Sequence, residues 1–526
     1  MEENPVIFVN GHVVTCDASN RTGKFHVVVR DGRIQEIGGL LEVLTTMYPS
    51  ASVVNLSGKL LLPGFVNAHF HTESFLLQEL TSDKPFNTWA HSERLRGIVD
   101  TLLMPGHEDH LTSVLRATYA AHLKSGTTCL GEHLPPADLR SFGVLLRTSE
   151  ALRLRIVATL QTWDQIEHAR DISRPLVRFL IGLGPESDYT VYSFENFVRA
   201  AREIDCGIAA HIGEQKDDVA IIRRNFSKSP TALLHDFGAL QKRTALIHGN
   251  HGTAEDAQRL AASGAALIVC PVSSLHKQCG YPFLRVLARN PVRLGVGTDW
   301  GNIDVLTELR FLHDLPRLFA LMPEFSALRL IRMATIDGAN ALGVGEDTGS
   351  IEVGKQADMI AVDLSDVRRR QPEEGWTAEL CAQQLLRLPG PLTPMHVMVA
   401  GKFVVKDFKF VDVHEDETLE HYIAARAAIL PQHGDQHRRP RDGTADSAIQ
   451  KPKIYAFASG ERGGEKDEQG FIGGITTVPV RPAADEVSVL SDRLTDETAD
   501  TRPRAPIDQR KPPGLVRKVF GEDDVA

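Results

Sequence analysis

The chain has 526 residues and a formal net charge of −10, with 42% hydrophobic and 24% charged residues. That apolar content excludes a wholly disordered or fibrous protein, and the length suits an α/β barrel of about 250 residues plus a smaller domain. The acidic balance argues against nucleic acid or an anionic membrane as the main partner, because both reward a basic surface.

In chain order, the first 63 residues read as short strands. VIFVNGHVVT and HVVVRDGRIQEIGG cluster β-branched residues around Asn10-Gly11 and Asp31-Gly32, dipeptides that favour tight hairpin turns. The opening MEENPVIFVN lacks the basic start and apolar stretch of a signal peptide, and no apolar run is long enough to span a bilayer. Cys16, Cys129, Cys206, Cys270, Cys279 and Cys381 are scattered and form no C-x-x-C pair. A reducing, cytoplasmic setting is expected.

After Pro63-Gly64, apolar runs of strand length alternate with longer amphipathic stretches. The strand segments are FVNAHFH, TTCLGE, RIVATL, LVRFLIGL, CGIAAHI, RTALIHG, ALIVCP and VRLGVGTD. HEDHLTSVLRATYAAHLKSG, LRSFGVLLRTSEALRL, SFENFVRAAREI, AEDAQRLAASG and VLTELRFLHDL read as helices between them. Eight alternations predict a parallel (β/α)8 barrel. An open doubly wound sheet fits less well, and no G-x-G-x-x-G sits in a first strand–helix turn.

From about Gly349 the strand signature returns in GSIEVGKQADMIAVD and MHVMVAGKFVVKDFKFVDV. Two β-rich pieces bracketing a barrel can fold as one discontinuous domain. The expected division is a β domain from 1–60 plus 345–412, a barrel over 61–344 and a helix over 413–431. Residues 432–526, rich in Arg, Asp, Pro, Gly and Thr, are expected to be disordered apart from two apolar islands, KIYAFAS and GFIGGITTVPV.

The 21 histidines point to chemistry. His69 and His71 end the first barrel strand, where residues i and i+2 share a face. Both imidazoles then project into the C-terminal mouth, where barrel enzymes keep their sites. Two neutral imidazoles at that spacing suit a divalent transition metal. His211 ends CGIAAHI, with Glu214 three residues on; His248 ends RTALIHG; Asp299 ends VRLGVGTD. Singly, each reads as a hydrogen-bonded histidine or a capping aspartate. Jointly, around one mouth, they predict a metal site. Glu132 and His133 either line the pocket or, for Glu132, cap the next helix near Asp138. Trp300 either stacks on a planar substrate ring or packs against the rim.

LLPGFVNAHFH resembles the first-strand signature of the amidohydrolase superfamily, and HIGE, LIHGNH, CPVSS and LGVGTD follow in family order. ATIDGANALGV and TGSIEVGKQADMIAVD resemble its C-terminal signature, so the likeness runs from about Val6 to Leu430. The chain is most similar to the branch of triazine hydrolases and guanine, cytosine and adenosine-derivative deaminases. The resemblance implies a distorted (β/α)8 TIM-type barrel with a composite β-sandwich built from both flanks. It implies one divalent transition metal, zinc ahead of iron, held by His69, His71, His211 and Asp299. It makes Glu214 the proton shuttle, and His248 the group that polarises the substrate or orients the water.

The chemistry follows from those residue types. A metal lowers the pKa of its bound water to about 7. Glu214 can take the water's proton and deliver it to the leaving nitrogen, with Asp299 sharing the base role. His248 can donate to the charge that builds on the substrate. The expected reaction is attack of metal-bound hydroxide on a carbon–nitrogen (non-peptide) bond, most simply a cyclic amidine going to a cyclic amide and ammonia. Loss of chloride or alkylamine from a triazine, or amide hydrolysis, uses the same attack. An inactive scaffold is disfavoured, because every ligand is kept. LVRFLIGLGPE holds no lysine to carboxylate, so a two-metal site would need Glu186 as its bridge.

The chain departs from the adenosine-deaminating relatives at three places. Their Pro-His-Ala-Pro-Tyr-like stretch, whose histidine contacts substrate, is Pro185-Glu186-Ser187-Asp188-Tyr189 here. Gln78 stands where they tend to have arginine, and Ser274 where they tend to have asparagine. Glu73, Glu79 and Glu186, if they face the mouth, favour neutral or cationic heterocycles over carboxylated ones. Exposed, they are a solvated face. Glu73, Glu186 and Trp300 are the expected substrate contacts, the partner is a small heterocycle, and the resemblance favours a homo-oligomer.

Overall fold

Asp31 and Gly32 both take left-handed backbone, φ 51° and 76°. They turn Val27–Arg30 back onto Arg33–Ile37 as an antiparallel hairpin, the geometry that the Asp-Gly pair favours. The structure, a computed structural model, describes residues 4–430 apart from 83, 136, 185–190, 282–283, 319–324 and 365–374. The chain divides into Met1–Arg441 and Asp442–Ala526, and the described residues all belong to the first unit. Glu186 and the expected tail, 432–526 with its two apolar islands, lie outside the described residues.

Two sheets form the β domain. One runs in the order Arg33–Ile37, Val27–Arg30, Val6–Val9, Ser52–Asn55. The other runs Lys409–Phe410, Lys402–Lys406, His396–Val399, Met359–Asp363, Lys59–Pro63, His12–Val14, Thr22–Lys24. Met359–Asp363 pairs antiparallel with Lys59–Pro63, so strands from both flanks of the barrel share this sheet. Phe8, Val27 and Val29 of the first sheet bury against Val13, Leu61 and Met359 of the second. The composite sandwich is present.

The barrel strands are β1 (Phe65–Phe70), β2 (Thr127–Glu132), β3 (Arg155–Leu160), β4 (Val177–Gly182), β5 (Gly207–Ile212), β6 (Thr244–His248), β7 (Ala266–Val269) and β8 (Arg293–Val296). They lie parallel and in chain order. Each coincides with one of the apolar runs. β2, β3 and β6 are buried at every residue, as strands covered on both faces must be. Val66, Cys129, Val157, Leu180, Ala209 and Ala245, one from each of β1 to β6, share an interior cluster. Helices Glu108–Lys124, Leu139–Ala151, Val191–Glu203, Ala254–Ser263 and Val305–Leu318 match the amphipathic stretches. Helices Thr72–Thr81 and Glu93–Leu103, between β1 and β2, are additions that the sequence pattern does not announce.

β8 closes on β1 through a short bridge rather than a ladder. Asp299 N donates to His69 O at 2.9 Å, and His71 N donates to Asp299 O at 3.3 Å. A Cβ at Gly297 would lie 2.8 Å from His69, so this approach requires glycine. The β domain is tied to β3 by a buried ion pair, Arg155 Nε to Asp358 Oδ2 at 2.8 Å. Asp358 Oδ1 also accepts from Ala400 N at 2.6 Å. No helix among the described residues is long and apolar enough to cross a membrane.

Candidate active site

β1 ends in His69-Phe70, His71 follows as the residue that opens helix Thr72–Thr81, and the ladder of β1 to β2 shifts register between Asn67 and Phe70. Phe70 turns onto His122 of helix Glu108–Lys124, with ring centres 4.5 Å apart. His69 and His71 then meet, ring centres 4.8 Å apart and nearly perpendicular. Such an irregularity re-aims side chains at the end of a strand. His211, near the end of β5, brings its Nε2 to 3.2 Å from His69 Nε2. Asp299 Oδ1 lies 3.4 Å from His69 Nε2 and 3.5 Å from His71 Nε2. His248, at the end of β6, completes the ring, and His69, His248 and Asp299 form a second close triplet. The structure thus brings His69, His71, His211, Glu214, His248 and Asp299 together at one mouth.

Two of these residues hold unusual backbone. His248 has φ 75° and Asp299 φ 53°, and neither is glycine. Each such conformation costs of order 1–3 kcal/mol and persists where surrounding structure enforces it. Neither ring nitrogen of His248 has a hydrogen-bond partner among the described residues, although the ring is fully buried. Its Nε2 is 3.6 Å from Glu214 Oε2.

Burial sets the charge state of the cluster. It lowers the His69 pKa to about 4, with Asp299 opposing. Burial, then neighbouring imidazoles, holds His211 and His133 well below the usual histidine value. Burial also lowers His248, against the pull of Glu214 and Asp299. His71 is the exception: burial alone would lower it, but Glu73, with Oε1 3.1 Å from Nδ1, raises it. Burial would raise both acids, yet Lys277 and His69 hold Asp299 well below the usual carboxylate range. His248 and Lys277 likewise lower Glu214. Neutral imidazoles and ionised carboxylates are a cation's donors.

The spacing makes the same point. Donors about 2.1 Å from a tetrahedral ion sit roughly 3.4 Å from one another. Three of the six separations among His211, His69, His71 and Asp299, at 3.2, 3.4 and 3.5 Å, match that edge. The close donors fall into two triplets that share His69, either of which suits a divalent ion.

Lys277 is the residue that the sequence pattern does not reveal. It is 6% exposed, in the turn after the short helix Pro271–His276 that follows β7. Its Nζ is 2.5 Å from Asp299 Oδ2 and also pairs with Glu214 Oε1. Burial alone would lower its pKa, but Asp299 and Glu214 push it up. His133 packs its ring 4.7 Å from that of His211 and 4.9 Å from that of His71, with Nδ1 buried and without a partner among the described residues.

The remaining candidates separate. Glu132 does not cap the helix after it, where Asp138 caps Leu139–Ala151 through Ser141 N. Instead it accepts from Thr72 N and Thr72 Oγ1 at 3.2 and 2.6 Å, and burial raises its pKa to about 7. Glu73 has a second oxygen that is buried without a partner among the described residues. Glu79 is exposed and pairs with Arg426. Trp300 lies against Trp89 and His71, with ring centres 4.8 and 5.9 Å away, and donates from Nε1 to Thr81 Oγ1 at 2.9 Å. Ser274 exchanges hydrogen bonds with Asn250.

The family model described as Amidohydrolase family matches residues 60–404. The chain belongs to the amidohydrolase family. Its class is that of a hydrolase of non-peptide carbon–nitrogen bonds. This amidohydrolase is 30% identical over 399 residues to a 5-methylthioadenosine/S-adenosylhomocysteine deaminase of Teredinibacter turnerae, covering 71% of this chain and 85% of the relative. A deaminase of the same name from Pyrococcus furiosus is 25% identical over 457 residues, covering 80% and 99%. Among solved structures, an adenosine deaminase from Xanthomonas campestris with bound zinc superposes with a TM-score of 0.70 at 24% identity, over 81% of this chain and 98% of that one. Atrazine chlorohydrolase from Arthrobacter aurescens TC1, complexed with zinc, gives 0.69 at 20%, over 81% and 100%. These two likenesses speak to the fold.

Proposed function

We propose that this amidohydrolase deaminates a 6-aminopurine nucleoside carrying a 5′-thioether. One water replaces the exocyclic amino group, giving the 6-oxopurine and ammonia. The observation that carries the reading is Glu214 poised beside the donor set. Its Oε2 is 3.6 Å from His248 Nε2, and Oε1 is held by Lys277 next to Asp299. The names of the sequence relatives support the substrate class.

In this reading His69, His71, His211 and Asp299 hold one divalent ion, zinc ahead of iron. When bound, the ion supplies Lewis acidity and lowers the pKa of a water toward neutrality. Glu214 takes a proton from the attacking water at Oε2 and delivers it to the departing amino nitrogen. Asp299 shares the base role. His248, its pKa lowered by burial and both ring nitrogens without a partner among the described residues, orients the water or donates to the substrate as charge builds. Trp300, backed by Trp89 and with its ring centre 5.9 Å from that of His71, offers an aromatic face suited to a planar ring. The unpartnered oxygen of Glu73 accepts from a substrate N–H or hydroxyl. Glu186 is retained as a substrate contact on sequence grounds.

The test is ammonia release from the zinc-loaded chain on a matched panel: 5′-methylthioadenosine, S-adenosylhomocysteine, adenosine, guanine, cytosine and a chlorinated or alkylamino triazine. The thioether nucleosides are expected to give the highest kcat/KM. Turnover confined to the triazines or the free bases contradicts the assignment.

A further inference from the structure

Lys277 is a buried cation within ion-pair reach of two carboxylates that the proposed chemistry uses. We propose that Lys277 is a positioning residue. It holds one oxygen of Asp299 and one of Glu214, so that the other oxygen of each is turned toward the imidazoles.

The division of oxygens is visible in the geometry. Asp299 Oδ2 is 2.5 Å from Lys277 Nζ and accepts from Ser273 Oγ at 2.6 Å. Its Oδ1 is left 3.4 and 3.5 Å from the Nε2 atoms of His69 and His71. Glu214 repeats the pattern: Oε1 pairs with Lys277, while Oε2 is the oxygen facing His248 at 3.6 Å. The last torsion of a carboxylate side chain is broad, so an unheld carboxylate samples either oxygen in either place. One ammonium, with three tetrahedrally spread donors, fixes both at once.

Lys277 is itself held. Its backbone N donates to Ser273 O at 2.9 Å, and its carbonyl accepts from Phe86 N at 2.9 Å. Its Nζ also lies 5.0 Å from the Phe86 ring centre, within cation–π range. The loop after β1 and the loop after β7 therefore fix one charge between them. Without that charge, only Ser273 Oγ still holds Asp299 Oδ2, so Asp299 turns more easily toward an ion, and Glu214 swings off the nitrogen that it must protonate.

The inference rests on the proposed roles of Asp299 and Glu214, and its test includes a readout that needs no substrate. Full-length wild type, Lys277→Met and Lys277→Gln are loaded with cobalt(II). Metal content, visible absorption, and kcat and KM for 5′-methylthioadenosine are then measured. Lys277→Met is expected to keep one cobalt per chain, shift the visible band, and lose about 100-fold in kcat with KM within about threefold, the scale of a misplaced catalytic group. Lys277→Gln, which keeps an N–H donor, is expected to recover part of that loss, and it carries the same test should Lys277→Met fail to fold. A cobalt band unchanged in both variants overturns the proposal, as does kcat within about threefold of wild type. If wild type releases no ammonia from the nucleosides, the functional reading fails and the cobalt band alone decides the role of Lys277.

Discussion

Glu214 answers to two neighbours of different kind, the Lys277 ammonium and the His248 imidazole, and its two oxygens are already sorted between them. Replacing the carboxylate by an amide keeps the shape and removes the proton carrier. Glu214→Gln is therefore expected to retain its metal and lose about 10²–10⁴-fold in kcat. Metal loss with the fold intact would make Glu214 a ligand instead. At this scale the sequence is legible where position depends on strand ends alone. His69, His211, His248 and Asp299 end strands of one barrel, and barrel closure brings such ends together whatever the loops do. Lys277 depends on the path of a loop, which no spacing reveals. Glu73 and Glu79 show a further limit. They are six residues apart on one helix of 3.6 residues per turn, so they leave on different faces. One reaches His71 and the other Arg426. The acidic set near the mouth is therefore smaller than its composition suggests, and Lys277 offsets part of it.

At the scale of elements, the short helix Pro271–His276 carries Ser273 and delivers Lys277, and its Val272 N donates to Glu308 Oε2 at 2.9 Å. Glu308, on helix Val305–Leu318, is fully buried, and burial raises its pKa from 4.5 to about 8. The folded chain then binds this proton more tightly than the unfolded chain does. Stability from this group is present below about pH 4.5 and is lost as pH rises toward 8, at up to about 1.4 kcal/mol per pH unit. Urea midpoints for Glu308→Gln across that range are expected to show a flatter pH dependence; an unchanged slope would place the titration elsewhere. The Arg155–Asp358 pair predicts a different kind of loss. Both side chains are at most 1% exposed, so Arg155→Met strands a buried charge. A destabilisation of about 3–5 kcal/mol is expected by urea denaturation, and one below about 1 kcal/mol would show that water reaches Asp358. The eight strands were legible because buried parallel strands read as uninterrupted apolar runs. Thr72–Thr81 was not, because its first turn is held by Glu132 from another strand rather than by a cap of its own.

At the scale of the molecule, the sandwich joins segments some three hundred positions apart, and Lys59 Nζ meets Asp363 Oδ2 at 3.1 Å across that join. No local pattern shows such pairing; only the bracketing of the barrel by two β-rich pieces hinted at it. The strand Lys59–Pro63 belongs whole to the sandwich sheet, so we propose 1–63 with 345–412, 64–344, 413–431 and 432–526 as the working domain map, in place of a boundary at 60/61. Helix Glu415–Ile429 is anchored by Tyr422 Oη donating to Phe75 O at 3.0 Å. A chain ending at Leu430 is accordingly expected to fold and turn over like the full chain, whereas aggregation or lost activity would move the boundary. We propose that one ion, held by three imidazoles and Asp299, makes this amidohydrolase a deaminase. Ammonia release from 5′-methylthioadenosine, followed before chelation, after chelation and after zinc is returned, tests it most directly. One ammonia per nucleoside consumed is expected, with no release from the chelated chain and recovery at about one zinc per chain. Undiminished turnover in the chelated chain, or none from the zinc-loaded one, would contradict it.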